Sequence, residues 1–353
     1  MSYLDSKRIV GTNADRIGTD AISGGWVELA RTTLGSAGDT IDVSSLADKR
    51  YYMVLSNLDN SGTVNNYTRL NSDSGSNYTR RRSENGGSDA TAVNQTIMGY
   101  FGNGDSGDLQ FGVSYFTNLS SKEKLMQQWG VAQSTAGAGN APDRMEGVGK
   151  HVQTSNPIST ITNVNLSANL NSGSEVVVLG YDPDDTHTSN FWEELASADW
   201  SSGYQINSGT FTAKKYLWIQ GWYKNAANTS YARFRVGNNT IDDANNYANR
   251  YSLNGAGDNS AGVSTDHIKM NVTNTDASSG LGFFNMFIIN NASNEKLVIG
   301  HHTLTSSGAG NAPARNEFVA KWNETSDQIN VVELHRYGGN NFTAGGIKVW
   351  GSN

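Results

Sequence analysis

The chain contains no cysteine, so neither disulfides nor thiolate metal centres hold it together. It has only four prolines in 353 residues, and no apolar run approaches the ~18 residues of a membrane span. Charge is scarce: Asp, Glu, Lys and Arg make up 17 %, against about 25 % in an ordinary globular chain. What charge there is leans acidic, with 26 Lys+Arg against 33 Asp+Glu and a formal net of −7. A general nucleic-acid binder needs a basic face to displace counterions, so nucleic acid is not an expected partner.

What the chain has instead is glycine, 39 residues of it, set among many Asn, Ser and Thr. Few charges and many small polar residues suit short strands joined by frequent turns. The length is a prior for two or three domains, each large enough to bury a core.

The dominant feature is an internal repeat. Trp26-Val-Glu-Leu-Ala30 returns as Trp192-Glu-Glu-Leu-Ala196, and Lys49-Arg-Tyr51 as Lys214-Lys-Tyr216. Asn77-Tyr78, Arg81, Ser83 and Asn85-Gly86 return as Asn246-Tyr247, Arg250, Ser252 and Asn254-Gly255. Glu123-Lys-Leu125 returns as Glu295-Lys-Leu297, and Gly137-Ala-Gly-Asn-Ala-Pro142 recurs letter for letter as Gly308 to Pro313. Behind that loop Arg144, Glu146, Val148 and Lys150 recur as Arg315, Glu317, Val319 and Lys321. The order never changes. The chain therefore divides into an arm (1–24), a first repeat (25–182), a short polar linker (183–190) and a second repeat (191–353), with the repeats closely apposed.

Each repeat reads as strand. Tyr51 to Leu55 and Tyr216 to Gln220 are aromatic and aliphatic runs behind turn residues, the pattern of buried strands. Ser120 to Trp129 alone resembles a capping box opening a helix, but its copy at Asn294 to Gly300 has a β-branched centre followed by Gly. Strand is therefore expected in both. About a dozen short strands per repeat predict an all-β chain: two tandem, homologous antiparallel β-sandwiches, jelly-roll-like, behind a short N-terminal arm.

Chemistry-bearing constellations are few. The duplicated Gly-Ala-Gly-Asn-Ala-Pro loop lacks a following Lys-Ser/Thr and helix, so it reads as a structural loop, not a phosphate cradle. Arg144/Glu146/Lys150 and Arg315/Glu317/Lys321 fall on one strand face by period-two alternation. They are solvated charge, or a ladder fixing register against another subunit. Arg80-Arg81-Arg82 is the one basic run, and copy two keeps only Arg250. Asp182, Asp184, Thr186, Thr188, Asn190 and Glu193 match calcium-loop spacing, but His187 stands where the loop needs Gly. The six histidines show no ligand spacing, and His301 and His302 point opposite ways on a strand. No nucleophile elbow or specified acid pair stands out. No cofactor is implied, and the expectation is a protein that is not an enzyme. Tyr67, Tyr78, Tyr231 and Tyr247 lie in Asn/Ser/Gly-rich stretches; they are ligand-contacting aromatics or core tyrosines at strand ends.

Several stretches resemble structural proteins of marine viral and metagenomic sequences: Ser2 to Gly11, Asp73 to Tyr78, Asn85 to Gly87 and Ile347 to Asn353. The arm followed by two β-sandwiches is also similar to double jelly-roll capsid proteins. It departs from them in that its halves are still alike in sequence. The resemblance implies a virion location, synthesis in the host cytoplasm without a signal peptide, and a capsid or capsid-surface role through self-assembly. The partners would be copies of itself, a trimer among the options, and other virion proteins. The competing expectation is a lectin-like module of a tail fibre or surface protein, with a host glycan as partner. Tyr3, Leu4, Lys7, Arg8, Ile9 and Val10 of the arm are the assembly candidates beside the charged strands. For the linker, calorimetry is expected to detect no calcium binding in the micromolar range; a micromolar site lost in Asp184→Ala would overturn that.

Overall fold

A computed structural model describes residues 22–23, 25–104, 107–183, 185–187, 189–225, 232–270, 280–305, 309–310, 312–337 and 341–353. Tyr3, Leu4, Lys7, Arg8, Ile9, Val10, Asp184, Thr188 and Tyr231 lie outside the described residues. Among the described residues every regular element is a strand, and no helix is long and apolar enough to cross a membrane.

β1 (Ile22–Ser23) closes the arm, and the first repeat runs through β2 (Val27–Thr33), β3 (Thr40–Ser44), β4 (Tyr51–Asp59) and β5 (Val64–Leu70). It continues with β6 (Tyr78–Glu84), β7 (Ala90–Gln95), β8 (Asn103–Gly104) and β9 (Leu109–Thr117). It ends with β10 (Lys124–Ala132), β11 (Asp143–His151), β12 (Thr160–Asn165) and β13 (Glu175–Tyr181). The linker holds β14 (Thr186–His187). The second repeat opens with β15 (Glu193–Asp199), β16 (Gln205–Asn207), β17 (Tyr216–Asn225), β18 (Ala232–Asn238) and β19 (Thr240–Ile241). Then come β20 (Tyr247–Leu253), β21 (Asn259–Thr265), β22 (Ile268–Lys269) and β23 (Leu281–Ile289). It closes with β24 (Lys296–Leu304), β25 (Ala314–Trp322), β26 (Val331–Arg336) and β27 (Phe342–Ser352).

The two repeats have one topology. The first has an eight-stranded sheet in the order β2-β13-β4-β9-β10-β11-β6-β7 and a small sheet β3-β12-β5-β8. The second repeats this as β15-β27-β17-β23-β24-β25-β20-β21 and β16-β26-β18, with β19 and β22 beside β18. In each, the last strand lies between the first and third, and the penultimate between the second and fourth. That is the wrapping of a jelly roll. The segment with helix-like caps is strand β10, as its copy predicted.

The eight-stranded sheets are apolar on both faces, which explains why β4 is a continuous apolar run and not an alternating one. Tyr52 and Val54 face inward to Ile41, Ile161 and Val176 between the two sheets of the first repeat. Met53 and Leu55 face outward into a cluster that includes Trp192, Tyr216, Phe287 and Ile299 of the second repeat. The large sheets thus pack on each other, and the layers run small sheet, large sheet, large sheet, small sheet. The linker is more than a turn: β14 pairs antiparallel with β1, Ile22 opposite His187 and Ser23 opposite Thr186.

Equivalence extends to irregularities. β2 bulges at Leu29 against β13, and β15 bulges at Leu195 against β27. Each bulged leucine lies over a glycine. A Cβ at Gly180 would stand 2.7 Å from Leu29 Cδ1, and one at Gly351 would stand 2.6 Å from Leu195 Cδ1. An added methyl at either glycine overpacks a closed site. Gly180→Ala and Gly351→Ala are each expected to cost roughly 1–3 kcal/mol in chemical denaturation. Wild-type stability in both variants would show that the bulges do not depend on the glycines.

Candidate functional site at the repeat junction

Three strands of the first repeat set up the junction. β6, β10 and β11 lie side by side, placing Arg81 opposite Val148 and Trp129 opposite Glu146. The second repeat presents the equivalent strands, with Arg250 opposite Val319 and His301 opposite Glu317. Trp129 and His301, equivalent positions of the two repeats, meet edge to face with ring centroids 5.3 Å apart.

The charged strand residues converge here. Arg144 is 5 % exposed at its side chain and holds Asp258 with two hydrogen bonds, Nη2 to Oδ1 at 2.6 Å and Nε to Oδ2 at 3.0 Å. The same guanidinium contacts Glu146 and lies 3.6 Å from Glu317. Burial alone would lower the Arg144 pKa, but Asp258 and Glu146 outweigh it and hold the group above its ordinary value. Burial, with Glu146 beside it, pushes the Glu317 carboxyl up. One arginine of the first repeat thus bridges to Asp258 and Glu317 of the second, which binds the repeats together. Arg315 reaches Glu317 at 3.3 Å and is otherwise exposed. The expectation of a ladder against another subunit is corrected for Arg144, Glu146 and Glu317: the surface they meet is the other half of the same chain.

Lys321 is fully buried, donating to the carbonyls of Gln133 and Thr135 and standing 3.6 Å from Glu295. Glu295 accepts from Gln133 Nε2 at 2.7 Å and from the Gly137 amide at 2.6 Å. The first Gly-Ala-Gly-Asn-Ala-Pro loop is thereby docked on the second repeat. Ala138 O also accepts from Ser264 N at 2.7 Å, and Pro142 O from Arg250 Nε at 2.6 Å. Lys150 is different. It stays 42 % exposed and pairs with Glu123 at 3.2 Å.

Of the two tyrosine readings, burial corrects the ligand-contacting one and selects core tyrosines for Tyr67, Tyr78 and Tyr247, which are 9 %, 1 % and 0 % exposed. Tyr78 OH donates to Leu70 O or Asp73 O and accepts from Leu70 N, and Tyr247 OH does the same with Val236 and Asp242. Both are struts holding equivalent turns, and burial pushes the Tyr78 hydroxyl up to about 12. Tyr67 packs against Tyr100 and lies under Arg80. In the basic run Arg82 covers the Tyr100 ring at 3.5 Å, while Arg81 faces outward near Asp89. The calcium spacing is not assembled as a loop between helices. Thr186 belongs to β14, and Glu193 opens β15, 3.3 Å from Lys214. Among the described residues no three His, Asp or Glu side chains cluster as metal ligands.

Beside the Trp129–His301 contact the junction opens into a groove of about 650 Å³. Trp129, Gln127, Arg81 and Val148 line it from the first repeat, and Arg315 and Ser252 from the second. Sequence reasoning missed Trp129, Asp258 and Gln133; Trp129 and Gln133 lie where the repeats differ, opposite His301 and Thr305, while Asp258 repeats Asp89.

The sequence matches no known protein family and no curated protein. Among solved structures, the LG1-3 region of the laminin α2 chain is similar with a TM-score of 0.21 and 10 % identity. That match covers 89 % of this chain and 64 % of the laminin region. Domains LG4-5 of the mouse laminin α1 chain give a TM-score of 0.19 at 8 % identity, covering 89 % of this chain and 84 % of theirs. The attachment invasion locus protein Ail of Yersinia pestis gives 0.12 at 7 %, covering 82 % of this chain and all of Ail. Likenesses this weak carry no conclusion about fold or function.

Burial lowers the pKa of His301 to about 4, of His267 and His335 to about 4, and of His302 to about 3. A histidine held neutral in the fold, with an unfolded value near 6.5, stabilises fully above that value and loses its contribution as pH falls to the folded value. Glu317, with its pKa raised, acts in the opposite sense. Stability is therefore expected to fall between pH 6.5 and pH 4, by about 3 kcal/mol for His301 alone. Thermal unfolding across that range should show the loss, and His301→Gln should flatten it. An unchanged slope in His301→Gln would count against the assignment.

Proposed function

We propose that this protein is a non-enzymatic structural subunit of a virion, acting by self-assembly in the capsid or on its surface. The observation that carries the reading is the construction of the chain. Two jelly rolls are locked face to face through their large sheets, and Arg144, Glu317 and Lys321 are spent on that lock. Some of the letters shared by the repeats therefore serve cohesion between the β-sandwiches. The same protein surface, offered to a second chain, would build an assembly by the same means. The sequence resemblance to viral structural proteins supplies the virion setting.

A lectin-like glycan-binding module of a tail fibre or surface protein is the second reading. The junction groove favours it, because Trp129 offers a ring face and Arg81, Arg315 and Gln127 offer hydrogen-bond donors around it. Ordered shells or lattices in electron micrographs of the purified protein favour assembly, and retention on a glycan array without such particles favours the module.

The arm provides the more specific test. It carries Tyr3, Leu4, Ile9, Val10 and Ile17 with Lys7, Arg8 and Arg16 between them, too few apolar residues to make its own core. Seated on a neighbour, about four aliphatic side chains at roughly 1.5–3 kcal/mol each would offset much of the cost of ordering it. Deleting residues 1–21 is expected to leave thermal unfolding of the monomer nearly unchanged and to abolish higher-order particles. Wild-type particles from the truncated chain would remove the arm from the assembly mechanism.

A further inference from the structure

The junction leaves one end of each large sheet's outer face uncovered. The second repeat offers Tyr216, Leu297 and Val319, at 0 %, 0 % and 1 % exposure, and the first offers Leu109 and Phe111, at 5 % and 1 %. Strand register identifies the equivalent of each residue. Tyr51 stands opposite Thr117 as Tyr216 stands opposite Ile289, and Leu125 opposite Lys150 as Leu297 opposite Lys321. Val148 faces Arg81 as Val319 faces Arg250, and Phe283 faces Trp222 as Phe111 faces Asn57. The equivalents are all exposed: Tyr51 38 %, Leu125 53 %, Val148 50 %, Leu281 43 % and Phe283 51 %.

The chain therefore carries a second, unused set of the residues that join its own halves. The first repeat keeps a free receptor end, Tyr51, Leu125 and Val148, flanked by the Glu123–Lys150 pair. Its equivalent pair, Glu295 and Lys321, grips Gln133 and Gly137 within the chain. The second repeat keeps a free inserting end, Leu281 and Phe283 with Trp222 beside them. Single exposed apolar residues need no explanation, but two patches that match a buried interface residue for residue do.

We propose that the occupant of each patch is a second copy of this chain. Leu281, Phe283 and Trp222 of one copy dock on Tyr51, Leu125 and Val148 of the next, repeating the junction between the two repeats. The contact is heterologous, head to tail, and so propagates into a ring or an open filament. This rests on the assembly reading and names its surface.

Both key side chains are half exposed, so Leu125→Asp and Phe283→Asp are compatible with the fold, to be confirmed by their thermal unfolding. Sedimentation of the wild-type full chain should show a concentration-dependent series of oligomers. Each variant alone should be monomeric, with association weakened at least tenfold. An equal mixture should recover a 1:1 dimer and stop there, because one variant keeps the inserting end and the other keeps the receptor end. Misfolded variants could not complement in this way. A dimer formed by either variant alone, or a mixture that stays monomeric, would overturn the head-to-tail surface while leaving assembly standing. A wild-type chain that stays monomeric at every concentration would overturn both. Association appearing only after deletion of residues 1–21 would show that the chain's own arm covers the patches, and would equally overturn the proposal.

Discussion

A β-sheet that is apolar on both faces must be covered on both, and that requirement organises this molecule. Each large sheet buries one face against its own small sheet and needs a second partner for the other. The two repeats supply that partner to each other. Trp192, Tyr216, Phe287 and Ile299 pack against Met53, Leu55, Phe111 and Val131. Without this contact each repeat would expose a row of aromatic and branched side chains. The linker, the docked glycine-rich loop and the Arg144–Asp258 pair are secondary to it, and they set the position in which the faces meet.

Charge in this chain is scarce, and two clusters of it are buried at that seam. Arg144, Asp258, Glu146 and Glu317 form one cluster, and Lys321, Glu295 and Gln133 another. Buried pairs of this kind add less net stability than apolar packing would, because desolvation offsets the attraction. What they add is discrimination: a shifted register would leave Arg144 or Lys321 buried without a partner. The apolar faces provide adhesion, and the buried ions select one alignment.

Much of this was legible in the sequence. The repeat and its β character follow from matched letters and from aromatic and aliphatic runs placed behind turn residues. The comparison of Glu123–Trp129 with Glu295–Gly300 overrode a helix-like start at Ser120. Alternation also put Phe318, Ala320 and Trp322 on the face opposite Glu317, and those three are core. What alternation cannot state is what a face meets. Arg144 and Glu146 were on one side of a strand by spacing, yet whether water, a second subunit or the other repeat lay across from them depends on tertiary packing. The same limit left Tyr78 and Tyr247 between a contact surface and the core, and their hydroxyls close buried turns. Lys150 and Lys321 make the point most clearly. They are the same letter at equivalent positions, one exposed and one fully buried, because only one of two equivalent sheet ends is covered.

The pairing of β1 with β14 has a mechanical consequence. It ties the entry of the chain to the linker, and Arg31 Nη2 holds the carbonyl of Asn353 at 2.6 Å, so both ends of the described chain are fastened near the seam. Tension at the entry is borne first by those two residue pairs, whereas at the exit Asn353 is held by Arg31 and the Lys215 amide, and β27 just before it is zipped between β15 and β17. Under load the entry pairing yields before the jelly rolls do, so stress separates β1 from the linker and leaves the folded bodies intact.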